Sequence, residues 1–124
     1  MNDKNIELEI QAKGKTAPRV TPQHIVDVIA SEHYFTAAQA VRNGGITEAH
    51  FDYSDFSVVT APLELLTFCV LVLKNGFTVT GESACASPQN FDPEIGRRIA
   101  HENAVQKIWP LEGYLLKQKL SDAR

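Results

Sequence analysis

The segment that decides the fold is Leu73-Lys-Asn-Gly-Phe-Thr-Val-Thr-Gly-Glu-Ser-Ala84. Its dipeptide Asn75-Gly76 joins a largely apolar run, residues 65 to 73, to an alternating run that starts at residue 77. Asn-Gly between two such runs predicts a β-hairpin, because a type I′ turn needs two residues that tolerate positive φ. We therefore predict an antiparallel sheet centred on strands at about 65–73 and 77–84.

A two-residue turn would set the register of this hairpin. Leu73 would then face Thr78, and Cys69 would face Glu82. Because side chains alternate between the two faces of a strand, one face of the hairpin should form the core. The apolar residues predicted on that core face are Phe68, Val70, Val72, Phe77 and Val79.

The opposite face of the first strand is apolar as well, since it carries Cys69, Leu71 and Leu73. A strand that is apolar on both faces is typical of a central strand covered on both sides. Small proteins rarely leave such a face in water, and a second chain is one candidate for the cover. We therefore expect a homodimer or a larger ring.

A helix is predicted before the hairpin. Thr21-Pro22 combines a capping oxygen with proline at the first helical position, which is a typical helix start. Ile25, Val28 and Ile29 then share one helical face, so the helix is predicted at about 22–33. The sequence leaves open whether residues 34–36 extend this helix or begin a strand.

Two helices are predicted after the hairpin. Asp92-Pro93 starts a long helix at about 93–109, and Pro110 ends it. A short final helix is predicted at about 111–120. The fold class is thus α+β: a small antiparallel sheet packed with one N-terminal helix and two C-terminal helices.

The chain is predicted to have one domain, residues 21–124, after a flexible arm at residues 1–20. Within the arm, Ile6 to Ile10 alternates like a short strand, and Lys13 to Pro18 is typical of a linker. Residues 56–60 are a candidate edge strand.

Composition excludes several classes of protein. The chain has 124 residues, 44% hydrophobic and 22% charged, as in an ordinary globular domain. A net charge of −3 argues against a sequence-specific nucleic-acid binder.

No apolar stretch approaches the roughly 20 residues of a membrane span, and no signal peptide is visible, so a cytoplasmic location is expected. The two cysteines, Cys69 and Cys85, are predicted to be free thiols.

The best candidate site binds an anion and lies around the long C-terminal helix. Residues 97 to 124 are richer in basic than in acidic residues. Arginine side chains bind phosphate or carboxylate bidentately, helix amino ends favour anions, and aromatic rings stack on bases. The residues predicted to bind a small anionic ligand are Asn90, Phe91, Arg97, Arg98, His101, Lys107 and Trp109. A solvated helix face with core aromatics is the simpler alternative.

Catalysis has weaker support. Gly81-Glu-Ser-Ala-Cys85 resembles the start of a nucleophile elbow, but its last glycine is replaced by Cys85, and no helix is predicted directly after it. Ser83, or Cys85 with His101, would be the nucleophile of a small hydrolase. The four histidines are scattered without metal-ligand spacing, so no metal and no cofactor are expected.

Three stretches resemble a known family of small tailed-phage proteins, the phage gene-49/gene-66 family. They are Leu66 to Cys85, Asn90-Phe-Asp-Pro-Glu-Ile-Gly-Arg-Arg-Ile-Ala100 and Lys107-Ile-Trp-Pro-Leu-Glu-Gly-Tyr-Leu-Leu116. The resemblance is close over residues 65–120 and looser over residues 21–35. It implies a phage or prophage origin and action in the host cytoplasm.

Small accessory phage proteins often counter host defences, so this resemblance implies one of two functions. The first is a non-enzymatic oligomer that sequesters a small nucleotide-like host immune signal. The alternative is a protein that inhibits a host enzyme or defence complex, through residues 37–63 or through the arm. A small hydrolase is the third possibility.

Overall fold

The computed structural model of the protein describes residues 3–15, 17–50, 58 and 60–124. The α+β prediction is confirmed, because helices pack on a three-stranded antiparallel sheet with the order β1-β2-β3. The helices and strands of the described residues are α1 (Asp3–Ala12), α2 (Pro22–Asp27), β1 (Ile29–Thr36), α3 (Ala37–Arg42), β2 (Leu66–Leu73), β3 (Thr78–Ala84), α4 (Pro93–Gln106) and α5 (Ile108–Asp122). Short 3-10 turns at Ala61–Leu65 and Pro88–Asn90 precede β2 and α4.

The predicted N-terminal helix is correct at its start and wrong at its end. Thr21 caps α2 by accepting a hydrogen bond from the His24 amide, as predicted. The helix ends at Asp27, however, and residues 29–36 form β1 instead of continuing to residue 33. Pairing with β2 is the reason, because β1 supplies hydrogen bonds to the edge of β2 that the hairpin leaves free.

The hairpin is confirmed, but its predicted turn and register are wrong. The Leu73 amide donates to the Phe77 carbonyl, so the loop has three residues, and Gly76 has a φ of +90°. A type I turn followed by a residue at positive φ is the usual three-residue loop. In the resulting register, Leu71 pairs with Val79 and Cys69 pairs with Gly81.

The predicted core face of the hairpin is also wrong. Phe68, Val70 and Val72 are only half-buried, and Phe77 is exposed. The buried side chains of β2 are those on the opposite face: Thr67, Cys69, Leu71 and Leu73. The extra loop residue shifts the pairing of β3 with β2 by one position. A shift of one residue moves every side chain of β3 to the other face relative to the side chains of β2. Only Val79 of the predicted set belongs to the core.

Helix α4 covers this core face. Ala100 and Ala104 are fully buried against the sheet, and Ile108 at the start of α5 continues the same contact. Ile95 and Ile99 are 48% and 43% exposed, so this apolar side of the helix faces away from the core. The core of the described residues consists of Ile25, Cys69, Leu71, Leu73, Val79, Ala100, Ala104 and Ile108.

The remaining boundaries differ from the predictions in three places. Helix α4 ends at residue 106, and Pro110 lies in the first turn of α5 rather than after a helix. Proline is tolerated there because the backbone amides of the first helical turn have no partner within the helix. Residues 6–10, predicted as a strand, belong to α1. The edge strand predicted at 56–60 lies largely outside the described residues.

The prediction that Cys69 and Cys85 are free thiols is confirmed.

Candidate functional site

A groove lies between the end of β1, helix α3 and the amino end of α4. Its volume is about 300 Å³, at the lower end of the range of small-molecule sites. We call it the Arg97 groove. Its lining residues are Tyr34, Phe35, Thr36, Gln39, Arg42, Glu64, Thr67, Phe91, Pro93 and Arg97.

Local sequence signals build the rim of this groove. Thr36 ends β1 and caps α3: its hydroxyl accepts from the Gln39 amide at 3.1 Å, and the Gln39 side chain accepts from the Thr36 amide at 2.9 Å. This reciprocal capping box fixes the sharp change from strand to helix. Arg42 in the last turn of α3 forms an ion pair with Glu64, which joins α3 to the turn before β2.

The amino end of α4 forms the opposite wall. One carboxylate oxygen of Asp92 accepts from the amides of Glu94 and Ile95, at 2.9 and 3.2 Å. Pro93 occupies the first helical position, where it has no amide to satisfy. Because Asp92 already uses these amides and adds a negative charge, the helix end itself is a poor anion site. An anion in this groove must therefore be bound by side chains.

Arg97 differs from Arg42, the other arginine that lines the groove. Its guanidinium makes no hydrogen bond or ion pair with any residue in the described part of the chain, whereas Arg42 is neutralised by Glu64. Among the residues that the structure describes, the lining of the groove therefore carries one positive charge without an ion-pair partner. Arginine presents a planar fork of donors that matches phosphate and carboxylate oxygens.

Aromatic and polar groups complete the lining. Phe35 and Phe91 offer apolar surface on opposite sides of the groove. The Phe35 ring stacks on that of Phe68, with ring centroids 5.6 Å apart. Thr67 lies at the bottom, 3% exposed, and its hydroxyl finds no hydrogen-bond partner among the described residues. A Cβ added at Gly96 would lie 3.0 Å from that hydroxyl, so Gly96 lets α4 sit directly over Thr67.

The structure brings two of the seven predicted ligand-binding residues together, namely Phe91 and Arg97. Asn90 lies next to Phe91 in the 3-10 turn, where its amide donates to the Ser87 carbonyl. Arg98 points elsewhere on α4, with its guanidinium 3.6 Å from the Glu94 carboxylate. The ligand-binding role of all four residues stays a prediction.

The other three predicted residues lie away from the groove. His101 is 3.6 Å from Glu32 on β1. Lys107 occupies the junction between α4 and α5. Trp109 lines a separate cleft beneath α1. The residues of the groove that the predictions missed include Thr36, Gln39 and Arg42, although the sequence Thr36-x-x-Gln39 is a recognisable capping-box signal.

The candidate nucleophiles Ser83 and Cys85 lie within β3 and directly after it. Ser83 lies within β3, opposite Thr67, and the strand continues through Ala84 without the sharp turn of a nucleophile elbow. The Cys85 thiol donates to the Ser87 carbonyl at 3.2 Å. Burial raises the pKa of the Cys69 thiol, which favours its neutral form.

Tyr34 is held as a neutral donor at the edge of the groove. Its hydroxyl donates to the Glu32 carboxylate at 2.7 Å. Burial, followed by this hydrogen bond, raises the pKa of Tyr34 above its usual value. Across the described ranges, no three His, Cys, Asp or Glu side chains are grouped as a metal site would require, and no helix there is long and apolar enough to cross a membrane.

Comparison with known families matches residues 20–120 to the phage protein family described as N4 Gp49/phage Sf6 gene 66. The chain belongs to this family. The match covers the sheet, the Arg97 groove and most of α5, and it confirms the resemblance of the three sequence stretches. Comparisons with curated proteins and with solved structures gave no match. The gene-49/gene-66 family thus identifies a phage protein, and its activity has to be argued from the groove.

Proposed function

We propose that this phage protein is a non-enzymatic binder that sequesters a small nucleotide-like host signal in the Arg97 groove, and so counters a host defence. The observation that carries the proposal is the guanidinium of Arg97, which has no partner among the described residues and lines the same groove as the aromatic ring of Phe91. A free arginine provides the contact for a phosphate, and a ring provides the contact for a base.

The binding energies of the two contacts favour a ligand that has both a phosphate and a base. A hydrogen bond to a charged group contributes about 1.5–3 kcal/mol, and stacking of one base on an aromatic ring contributes about 1–3 kcal/mol. Either contact alone is too weak for capture at low concentrations. A ligand that uses both, with a polar contact to Gln39 or Thr36, gains at most about 7 kcal/mol, which corresponds to a Kd in the micromolar range.

Arg97 and Arg98 make a matched pair for the test. Both are on α4, but only Arg97 lines the groove, while Arg98 interacts with Glu94. Wild type, Arg97→Glu and Arg98→Glu would be titrated with mono-, di- and cyclic dinucleotides by thermal shift and calorimetry. We expect Arg97→Glu to lose binding by at least about tenfold, as removal of one charged contact implies, and Arg98→Glu to retain it.

Two results would count against the proposal. Equal losses in both variants would indicate nonspecific attraction to a basic helix rather than a built site. Absence of binding by the wild-type protein across the panel would remove the nucleotide-like ligand altogether.

A second candidate function is inhibition of a host enzyme or defence complex through a protein surface. It is favoured by an exposed apolar cluster at the hairpin loop and α5, where Phe77 is 56%, Tyr114 73% and Leu115 46% exposed. Exposed apolar clusters are typical of protein interfaces. The two functions separate in infected cells: loss of the benefit to the phage with Arg97→Glu supports capture, whereas loss with Phe77→Ser plus Tyr114→Ser supports inhibition.

A further inference from the structure

A second concave surface lies between the hairpin loop and α5. Its volume is about 250 Å³, and its walls are Asn75 and Phe77 of the hairpin and Leu111, Tyr114 and Leu115 of α5. We call it the Phe77 pocket. All four of these apolar side chains are exposed. Aromatic side chains grouped around a pocket are typical of the central contacts of a protein interface.

Hydrogen bonds hold both walls of this pocket in place. The Leu73 amide donates to the Phe77 carbonyl, and the Phe77 amide donates to the Asn75 side chain at 2.9 Å. On the other wall, the carboxylate of Glu112 is only 12% exposed and bonds to the ring of His24, which ties α5 to α2. A surface that is ordered before binding loses little conformational entropy when a partner docks on it.

The backbone around the pocket is already hydrogen-bonded. Three loop amides donate to backbone carbonyls: Leu73 to Phe77, Lys74 to Val28 and Gly76 to Leu73. The other wall belongs to α5, whose backbone groups bond within the helix. A partner strand needs free backbone groups on the surface that receives it, whereas a partner helix satisfies its own. The pocket therefore fits the apolar face of a helix.

Lysines surround the pocket. Lys74 lies in the loop beside Asn75, Lys107 lies one helical turn before Leu111, and Lys117 lies one turn after Tyr114. The three side chains are exposed and have no ion-pair partner in the described part of the chain. The carboxylate that lines the pocket, Glu112, is already bonded to His24. Since complementary charges select the partner, the helix that fits here is acidic around its apolar face.

We propose that the Phe77 pocket binds an acidic amphipathic helix of a host protein, with a large apolar side chain inserted between Phe77 and Tyr114. The concave shape favours such an inserted side chain over a flat anionic membrane. The proposal names the partner for the second candidate function and rests on that function. It is independent of the Arg97 groove, because no residue lines both.

Two designed helical peptides test this partner with the full chain. Both carry leucine and tryptophan at positions i, i+3, i+4 and i+7, and their other residues are alanine with glutamate in one peptide and alanine with lysine in the other. Fluorescence anisotropy should show saturable binding of the glutamate peptide and at least about tenfold weaker binding of the lysine peptide. Phe77→Ser should weaken binding of the glutamate peptide at least about tenfold. Leu8→Ser is the control, because Leu8 is as exposed but lies on α1.

Charge reversal tests the lysines separately. Lys74→Glu plus Lys117→Glu should weaken binding of the glutamate peptide by up to about tenfold, and by less at high salt. Lys15→Glu plus Arg98→Glu changes the net charge equally away from the pocket and should leave binding unchanged. Equal losses in the two double variants would show that net charge, and not the lysines at the pocket, attracts the peptide.

Four further results would overturn the proposal. Three are equal binding of the two peptides by the wild type, absence of binding of the glutamate peptide, and undiminished binding by Phe77→Ser. The fourth is Phe77-dependent binding to phosphatidylserine vesicles without binding of the peptide, which would assign the surface to a membrane. If Phe77→Ser changes the circular dichroism spectrum, Tyr114→Ser takes its place, since Tyr114 is 73% exposed.

The infected-cell test distinguishes failure of this proposal from failure of the second candidate function. If Phe77→Ser plus Tyr114→Ser removes the benefit to the phage although the wild type does not bind the glutamate peptide, inhibition through this surface stands and the acidic helix is wrong. If that variant keeps the benefit, the second candidate function itself is wrong.

Discussion

Gly81 of β3 lies directly against the backbone of Ala104 in α4. A Cβ at Gly81 would be 2.3 Å from the Ala104 amide nitrogen and 2.2 Å from the Ala100 carbonyl oxygen. Neither atom belongs to a flexible side chain, so nothing can move aside cheaply. The glycine of the apparent nucleophile elbow is therefore explained by helix packing, because it allows α4 to approach the sheet closely.

Gly81→Ala is expected to destabilise the protein severely. The added methyl group would push α4 off the sheet and loosen the buried contacts of Ala100 and Ala104. We expect the free energy of unfolding to fall by about 3 kcal/mol or more, measured by urea denaturation.

Gly113→Ala is the control for this substitution. Gly113 lies within α5, and a Cβ there would meet no atom within 4 Å. Alanine has a higher helix propensity than glycine, so stability should rise by up to about 1 kcal/mol. If both variants lost stability equally, the close approach of α4 to Gly81 would not be the cause.

Thr67→Val is expected to stabilise the protein. The Thr67 hydroxyl is buried and finds no partner in the part of the chain that the structure describes, and a buried unpaired hydroxyl costs about 1–3 kcal/mol. Valine has nearly the same shape without that group. Thermal and chemical denaturation should show a gain of about 1 kcal/mol.

The same substitution at Thr36 should have the opposite effect. The Thr36 hydroxyl accepts from the Gln39 amide, so Thr36→Val removes the cap of α3 and should cost about 1 kcal/mol. A loss of stability in Thr67→Val as well would mean that this hydroxyl is hydrogen-bonded in solution.

Cys69 and Cys85 are expected to differ strongly in reactivity. Cys69 is fully buried, and burial raises the pKa of its thiol, so the reactive thiolate is both rare and inaccessible. Cys85 is only partly buried. Mass spectrometry after treatment with iodoacetamide should show one rapid modification, at Cys85, and a second only in denaturant. Cys85→Ser should abolish the rapid one; rapid labelling of Cys69 would contradict the packing of β2.

Local signals in the sequence predicted much of this fold. Three dipeptides each mark a boundary that depends on the residues beside it: Thr21-Pro22, Asn75-Gly76 and Asp92-Pro93. The two helix starts and the position of the hairpin loop that they predict are confirmed. The end of α2 and the register of the hairpin could not be predicted in this way. The end of α2 depends on the pairing of β1 with the distant strand β2, and the register of the hairpin depends on the length of the loop between β2 and β3.

The Arg97 groove was predictable only in part for the same reason. Arg97 and Phe91 lie close together in sequence, and both were predicted to bind the ligand. Thr36, Gln39 and Arg42 come from a segment more than 40 residues earlier, which reaches the groove because β1 pairs with β2. Helical periodicity carries no information about that contact.

The Glu7–Arg19 pair makes the docking of α1 dependent on pH in the acid range. The hydrogen bond from Arg19, followed by that from Gln11, lowers the pKa of Glu7 from 4.5 to about 2. A carboxylate with a lowered pKa in the folded state contributes stability above its unfolded pKa, near 4.5, and loses that contribution as the pH falls towards 2. The attachment of α1 should therefore be unchanged from neutral pH to about 4.5 and weaken only below it.

Trp109 can report this transition, because it is the single tryptophan and lines the cleft beneath α1. Its emission should shift to the red as α1 detaches. Glu7→Gln should show the shifted emission already at neutral pH, since the neutral amide cannot replace the ion pair. Glu9→Gln is the matched control, because the partner of Glu9 among the described residues is the exposed Lys13, directly after α1. Asp3 lines the same cleft, but Arg19 bonds to Glu7, so Asp3→Asn should leave the transition in place. A transition of the wild type near pH 4.5, or an equal shift in Glu9→Gln, would show that the ion pair does not hold the helix.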